Sequence, residues 1–186
     1  MPLPDPIRRR LENMIGRAVM WMADNSKKLQ EVQVSLQANE VRTAERFQQY
    51  GFSSVPLAEA EAVLLFPGGL RDHAIAIAVD DRRYRPTAWI EGEVGLYTHE
   101  GDFLRLKNGR IVEVVCGTKV DVTAPEVIVH ASTKVRLETP MLECTGEIKD
   151  RCDSDGKTME QMRNTYNTHT HNETGSVTAA PNQSMG

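Results

Sequence analysis

The segment Tyr166-Asn167-Thr168-His169-Thr170-His171-Asn172-Glu173 carries the clearest chemistry in the sequence. Two histidines at i and i+2 of an extended chain project to the same side, and neutral imidazole is the commonest metal ligand. A cupin-like metal enzyme would want a carboxylate at a longer spacing and another distant histidine. Glu173 is only two residues on, and His73, His99 and His130 sit among other segments. Symmetry changes the reading: three copies around one axis would supply six imidazoles, a closed octahedral shell suited to iron, cobalt or nickel. A closed shell is structural rather than catalytic. Each ring's second nitrogen would need a polar neighbour, for which Thr168, Thr170, Asn172 and Glu173 are the candidates.

Other reactive residue types form no comparable set. The chain has three cysteines, Cys116, Cys144 and Cys152, with no CxxC pair and no G-x-S-x-G elbow anywhere. That pattern fits neither a disulfide framework nor a zinc site, and Cys116 and Cys144 read as packing residues among valines. Gly68-Gly69 lacks a following Lys-Ser/Thr and reads as a turn. Glu113, Asp121, Glu126, Glu138, Glu143 and Glu147 are scattered, as the solvated face of a β structure would be; a carbohydrate-cleaving pair among them is the minority reading. With 22 basic against 26 acidic residues and 5% aromatics, and a pI near 5.8, nucleic acid is not an expected ligand.

The elements that must position the histidines follow from periodicity. Ile7, Leu11, Met14, Ile15 and Ala18 fall at helical steps, so residues 1–29 are expected to be an N-terminal helical segment. Its run carries Glu12, Asn13 and Arg17 and does not read as a signal peptide. Residues 30–109 hold short alternating segments (LQEVQVSLQ, VRTAERFQQYGF, EAVLLFP, HAIAIAVDD, EGEVGLYTHE, DFLRLKNG) broken by turn signals. Such a series predicts a small closed barrel of the OB type.

Residues 110–149 repeat. Val112-x-Val114, Val120-x-Val122, Val127-x-Val129, Val135-x-Leu137 and Leu142-x-Cys144 start 8, 7, 8 and 7 residues apart, with Thr, Pro, Ser and Gly corners between them. Two inward side chains per repeat are too little core for one chain. An antiparallel meander would show longer strands and recognisable hairpin turns, and a single-chain β-helix needs longer coils. The pattern therefore favours an intertwined triple β-helix, three chains forming a triangular prism. Residues 150–186 form the tip: Thr158-x-x-Gln161 fits a capping box opening a helix from about Thr158 to Asn164, followed by the histidine pair and a Gly, Ser, Pro and Asn-rich tail.

This order of barrel, Val-x-Val repeat and Tyr166-Asn167-x-His169-x-His171 resembles the central spike, or baseplate assembly protein V, of contractile-tailed bacteriophages, closest to the Mu-like form. The resemblance implies a mainly β homotrimer on the virion's tail axis, made in the host cytoplasm, docked on a baseplate hub by its barrel and aimed at host outer membrane and lipopolysaccharide. It implies no enzyme activity, one iron per trimer at His169 and His171, and, as in some relatives, calcium and chloride inside the prism. The competing readings are a trimeric β-helical enzyme or adhesin acting on surface polysaccharide, and a secretion-system spike.

Overall fold

The structure, a computed structural model, describes residues 4–36 and 40–185. The chain divides into two units, Met1–Thr123 and Ala124–Gly186.

The first unit opens with α1 (Asp5–Glu12), which has proline in its first turn. The chain then enters β1 (Ile15–Asp24), where helical spacing had predicted continued helix. The same residues also alternate: Ala18 and Met20 are buried while Arg17, Val19 and Trp21 are exposed. Pairing along both edges of β1 outweighs the local periodicity, and Gly16 would in any case cost a helix interior about 1 kcal/mol.

Four more strands close the barrel: β2 (Glu31–Ser35), β3 (Val41–Arg46), β4 (Glu61–Leu65) and β5 (Ala74–Asp80), in the order β1-β2-β3-β5-β4 with β4 returning to β1. All neighbours are antiparallel except β3 and β5, which run parallel. The barrel thus takes the order expected of an OB-type module, but it borrows its first strand from the segment expected to be helical and closes by Asp80. Six of its eleven buried apolar residues are alanines (Ala18, Ala44, Ala60, Ala62, Ala74, Ala76). Small inward residues let five strands close on a narrow interior, which Met20, Val32, Val34, Leu64 and Phe66 fill.

The last two expected segments form a separate antiparallel sheet of β6 (Val94–Tyr97), β7 (Phe103–Lys107) and β8 (Ile111–Val115), in that order. Its two faces differ. On one, Trp89 meets Tyr97 and Phe103 edge-on, each at 6.2 Å between ring centroids, and the Arg105 guanidinium lies 5.4 Å over the Trp89 ring. Gly95 makes this packing possible, since a Cβ there would meet the Leu104 carbonyl oxygen and come within 2.5 Å of Trp89. On the other face the register aligns Val94 with Leu106 and Val112, and Leu96 with Leu104 and Val114. All six of those side chains are 40–63% exposed.

Beyond β8 the repeat stretch from Cys116 to Ile148 has no helix or strand. Among the described residues, no backbone-to-backbone hydrogen bond starts or ends within 118–147. Val120, Val122, Val127, Val129, Val135, Leu137 and Leu142 stand 61–69% exposed. The second unit ends in α2 (Met159–Thr168) and a hairpin of β9 (Asn172–Glu173) and β10 (Ser176–Val177).

Candidate functional site

The histidine pair is built from the helix that precedes it. Thr158 caps α2: its hydroxyl accepts from Gln161 N–H at 3.2 Å, and the Gln161 side chain accepts from Thr158 N–H at 3.0 Å, the reciprocal box expected from their spacing. The helix runs one turn further than that motif alone suggested, to Thr168. Glu147 lies at the same end, 3.5 Å from Glu160 N–H. Hydrogen bonding from Thr158, then from the Glu160 backbone, outweighs desolvation and holds the Glu147 carboxyl below its ordinary range.

At the other end the backbone turns extended at His169, with φ −67° and ψ 147°. The last carbonyls of a helix have no partner within it. His169 uses one of them: its Nδ1 lies 2.6 Å from the Tyr166 carbonyl oxygen. A carbonyl only accepts, so Nδ1 carries a proton, and in the neutral ring Nε2 is the nitrogen with the lone pair. The Tyr166 ring sits 5.3 Å from the same imidazole. His171 follows in extended chain, its ring centroid 5.1 Å from that of His169. Its backbone is locked to Thr178, His171 N–H donating to Thr178 Oγ1 at 2.8 Å and Thr178 N–H to the His171 carbonyl at 2.9 Å. The tail then folds back, and the Asn167 side chain exchanges two hydrogen bonds with the Met185 backbone, at 2.8 and 3.1 Å.

The structure therefore brings His169 and His171 together on one side, half-buried and exposed respectively. It does not use Thr168, Thr170, Asn172 or Glu173 to orient His169. A backbone carbonyl does that work, and the signal for it was the helix C-terminus rather than any side chain. Among the described residues no three His, Cys, Asp or Glu cluster as a metal set would.

Three of the scattered carboxylates are paired locally. Asp121 pairs with Lys119, Glu138 with Arg136 and Glu113 with Lys107. Cys116 is half-buried, and Cys144 and Cys152 are exposed and free. Gly68 and Gly69 lie in the 3-10 turn Pro67–Gly69, as expected.

Three comparisons bear on this arrangement. The family model described as Bacteriophage Mu Gp45, N-terminal, matches residues 17–83, a span that includes all but the first residues of the barrel. The chain is 39% identical over 146 residues to the "Baseplate puncturing device gp45" of Escherichia phage Mu, covering 77% of this chain and 70% of the relative. It is 34% identical over 145 residues to "Mu-like prophage FluMu protein gp45" of Haemophilus influenzae, covering 77% and 78%.

Proposed function

The chain belongs to the Mu gp45 family of phage baseplate puncturing proteins, and from that premise we propose that it is the central spike of a tail baseplate, a homotrimer that breaches the host outer membrane by force rather than by catalysis. It resides in the virion, at the tail baseplate. The observation that carries the trimeric reading is the stretch 118–147, where apolar pairs stand exposed and, among the described residues, the backbone makes no backbone-to-backbone hydrogen bond. Unsatisfied amides and carbonyls are tolerated only where water or another chain satisfies them, and water does not offset so much exposed valine.

Three chains wound together resolve both demands. Residues 110–149 of each copy form one wall of a prism, with the Val-x-Val pairs meeting on the axis and the amides pairing around it. The apolar face of β6–β8 is a second exposed surface of the same kind. A structure whose strands pair all round has few free edges and resists fraying. Sheath contraction supplies the work, the barrel seats on the baseplate hub, and residues 150–186 meet the outer membrane and its lipopolysaccharide.

At the tip, His169 and His171 of three copies offer six nitrogens to one ion. The donor set fits: the Tyr166 carbonyl fixes the His169 tautomer with Nε2 free, as the second partner of a ligating histidine does. An octahedral divalent transition metal, iron by family resemblance, would cross-link the three tips and take no part in turnover.

Complementation tests the function. Phage lacking this chain should fail to make the outer membrane permeable to a small dye, and the wild-type chain should restore entry. Release of oligosaccharide from lipopolysaccharide by the purified protein would contradict it and favour the enzyme reading.

A further inference from the structure

Arg46 ends β3 only 9% exposed, and no carboxylate pairs with it among the described residues. Burying a guanidinium is costly unless its donors are met. Here they are met by Gln30, just before β2, and by Ser54 in the loop that follows β3. Nη1 donates to Gln30 Oε1 and to the Ser54 carbonyl, both at 2.7 Å, and Nη2 donates to Ser54 Oγ at 2.8 Å. Gln30, also buried, adds a bond to the Ser54 carbonyl at 3.1 Å, and Gln48 Oε1 accepts from Ser54 N–H at 2.7 Å. The loop's tip is a turn in which Phe52 N–H bonds the Gln49 carbonyl at 3.0 Å and Gly51 takes φ 86°.

What this anchored loop presents is apolar. Tyr50 is fully exposed at 104%, Phe47, Phe52 and Val55 are more than half exposed, and Leu57 is 39% exposed. No charged residue occurs within 47–58, in a chain that is 26% charged. Rigid aromatic side chains held ahead of contact are the usual anchors of protein interfaces, because little ordering remains to be done on binding.

We propose that loop 47–57 is the docking element by which the barrel seats in an uncharged apolar pocket of another baseplate protein. This rests on the spike reading above. The apolar surface suited to self-association lies on β6–β8 and the repeat, apart from this loop in sequence. The loop also lacks the basic residues that usually accompany aromatics in surface-bound membrane segments. Exposed side chains of this size offer on the order of 500 Å² per copy. Three copies together then exceed the roughly 800 Å² that each partner contributes to a standard interface.

The test uses baseplates assembled without this chain and the full-length protein added back. Wild type should be incorporated, with little change between about 0.05 and 0.5 M salt, since no charge is involved. Tyr50→Ser with Phe52→Ser should reduce incorporation at least tenfold at unchanged oligomeric mass. Trp21→Ser, at an exposed position of β1 in the same barrel, should leave it intact. Normal incorporation of the double variant would overturn the loop's role while leaving the spike reading standing. Loss of oligomeric mass in it would give the loop to self-association, and binding of wild type to lipid vesicles through the loop would give it to the membrane; either overturns the proposal. Failure of wild type itself to enter baseplates would sink the spike reading instead.

Discussion

His169 Nδ1 and the Tyr166 carbonyl oxygen lie 2.6 Å apart across the end of α2. That contact leaves Nε2 as the ring nitrogen without an intrachain partner among the described residues. Elemental analysis should return one transition metal per three chains. Replacing both His169 and His171 with Ala should abolish it while barrel melting stays unchanged. One metal per chain, or unaltered content in the double variant, would contradict a site shared by three chains at these histidines.

A second expectation concerns the sheet. The Arg105 side chain, and then the Ile90 N–H, hold the Glu93 carboxyl below its ordinary value of 4.5. A carboxyl with a depressed folded value stabilises fully above its unfolded value, and that stability is lost as pH falls toward the folded one. Melting temperature should therefore decline below about pH 4.5 in wild type. The Glu93→Gln variant should be less stable at pH 7 and show a flatter acid limb. An equally steep acid limb in the variant would assign the decline to other groups.

Gly95 provides a steric test of the same sheet. With Trp89 and the Leu104 carbonyl in the way, Gly95→Ala should cost about 1–3 kcal/mol, as forced overpacking does. Denaturant titration followed by Trp fluorescence would measure it, and a neutral effect would mean that the Trp89 ring is free to move aside.

In the barrel, Phe66 is 1% exposed and closes the interior near Gly16, where a Cβ would already stand 3.2 Å from its ring. Phe66→Ala should destabilise by about 3–5 kcal/mol. Denaturant titration would measure the loss, and a change below about 1 kcal/mol would mean that neighbouring side chains collapse into the vacated space.

Much of this was legible from residue order. The alternating segments around Val32, Ala44, Leu64 and Ala76 are strands, and Thr158 with Gln161 cap a helix, because alternation and capping are local rules. Residues 15–18 misled because their apolar spacing satisfies both periods, and only the two partner strands of β1 decide between them. The orienting group at His169 was missed for another reason: it is a backbone carbonyl at the end of α2, and the capping motif marks where that helix begins but not where it stops. The extended geometry of the Val-x-Val stretch needs no strand partner in its own chain, so sequence spacing and the single-chain fold leave the same demand unmet.

Oligomeric mass tests the central claim most directly. Sedimentation equilibrium of the full chain should give three times the 20.8 kDa of one chain, and Val127→Asp or Val135→Asp, which set three like charges around the axis, should collapse that species. A monodisperse single-chain mass with residues 118–147 protected from hydrogen exchange would contradict the account.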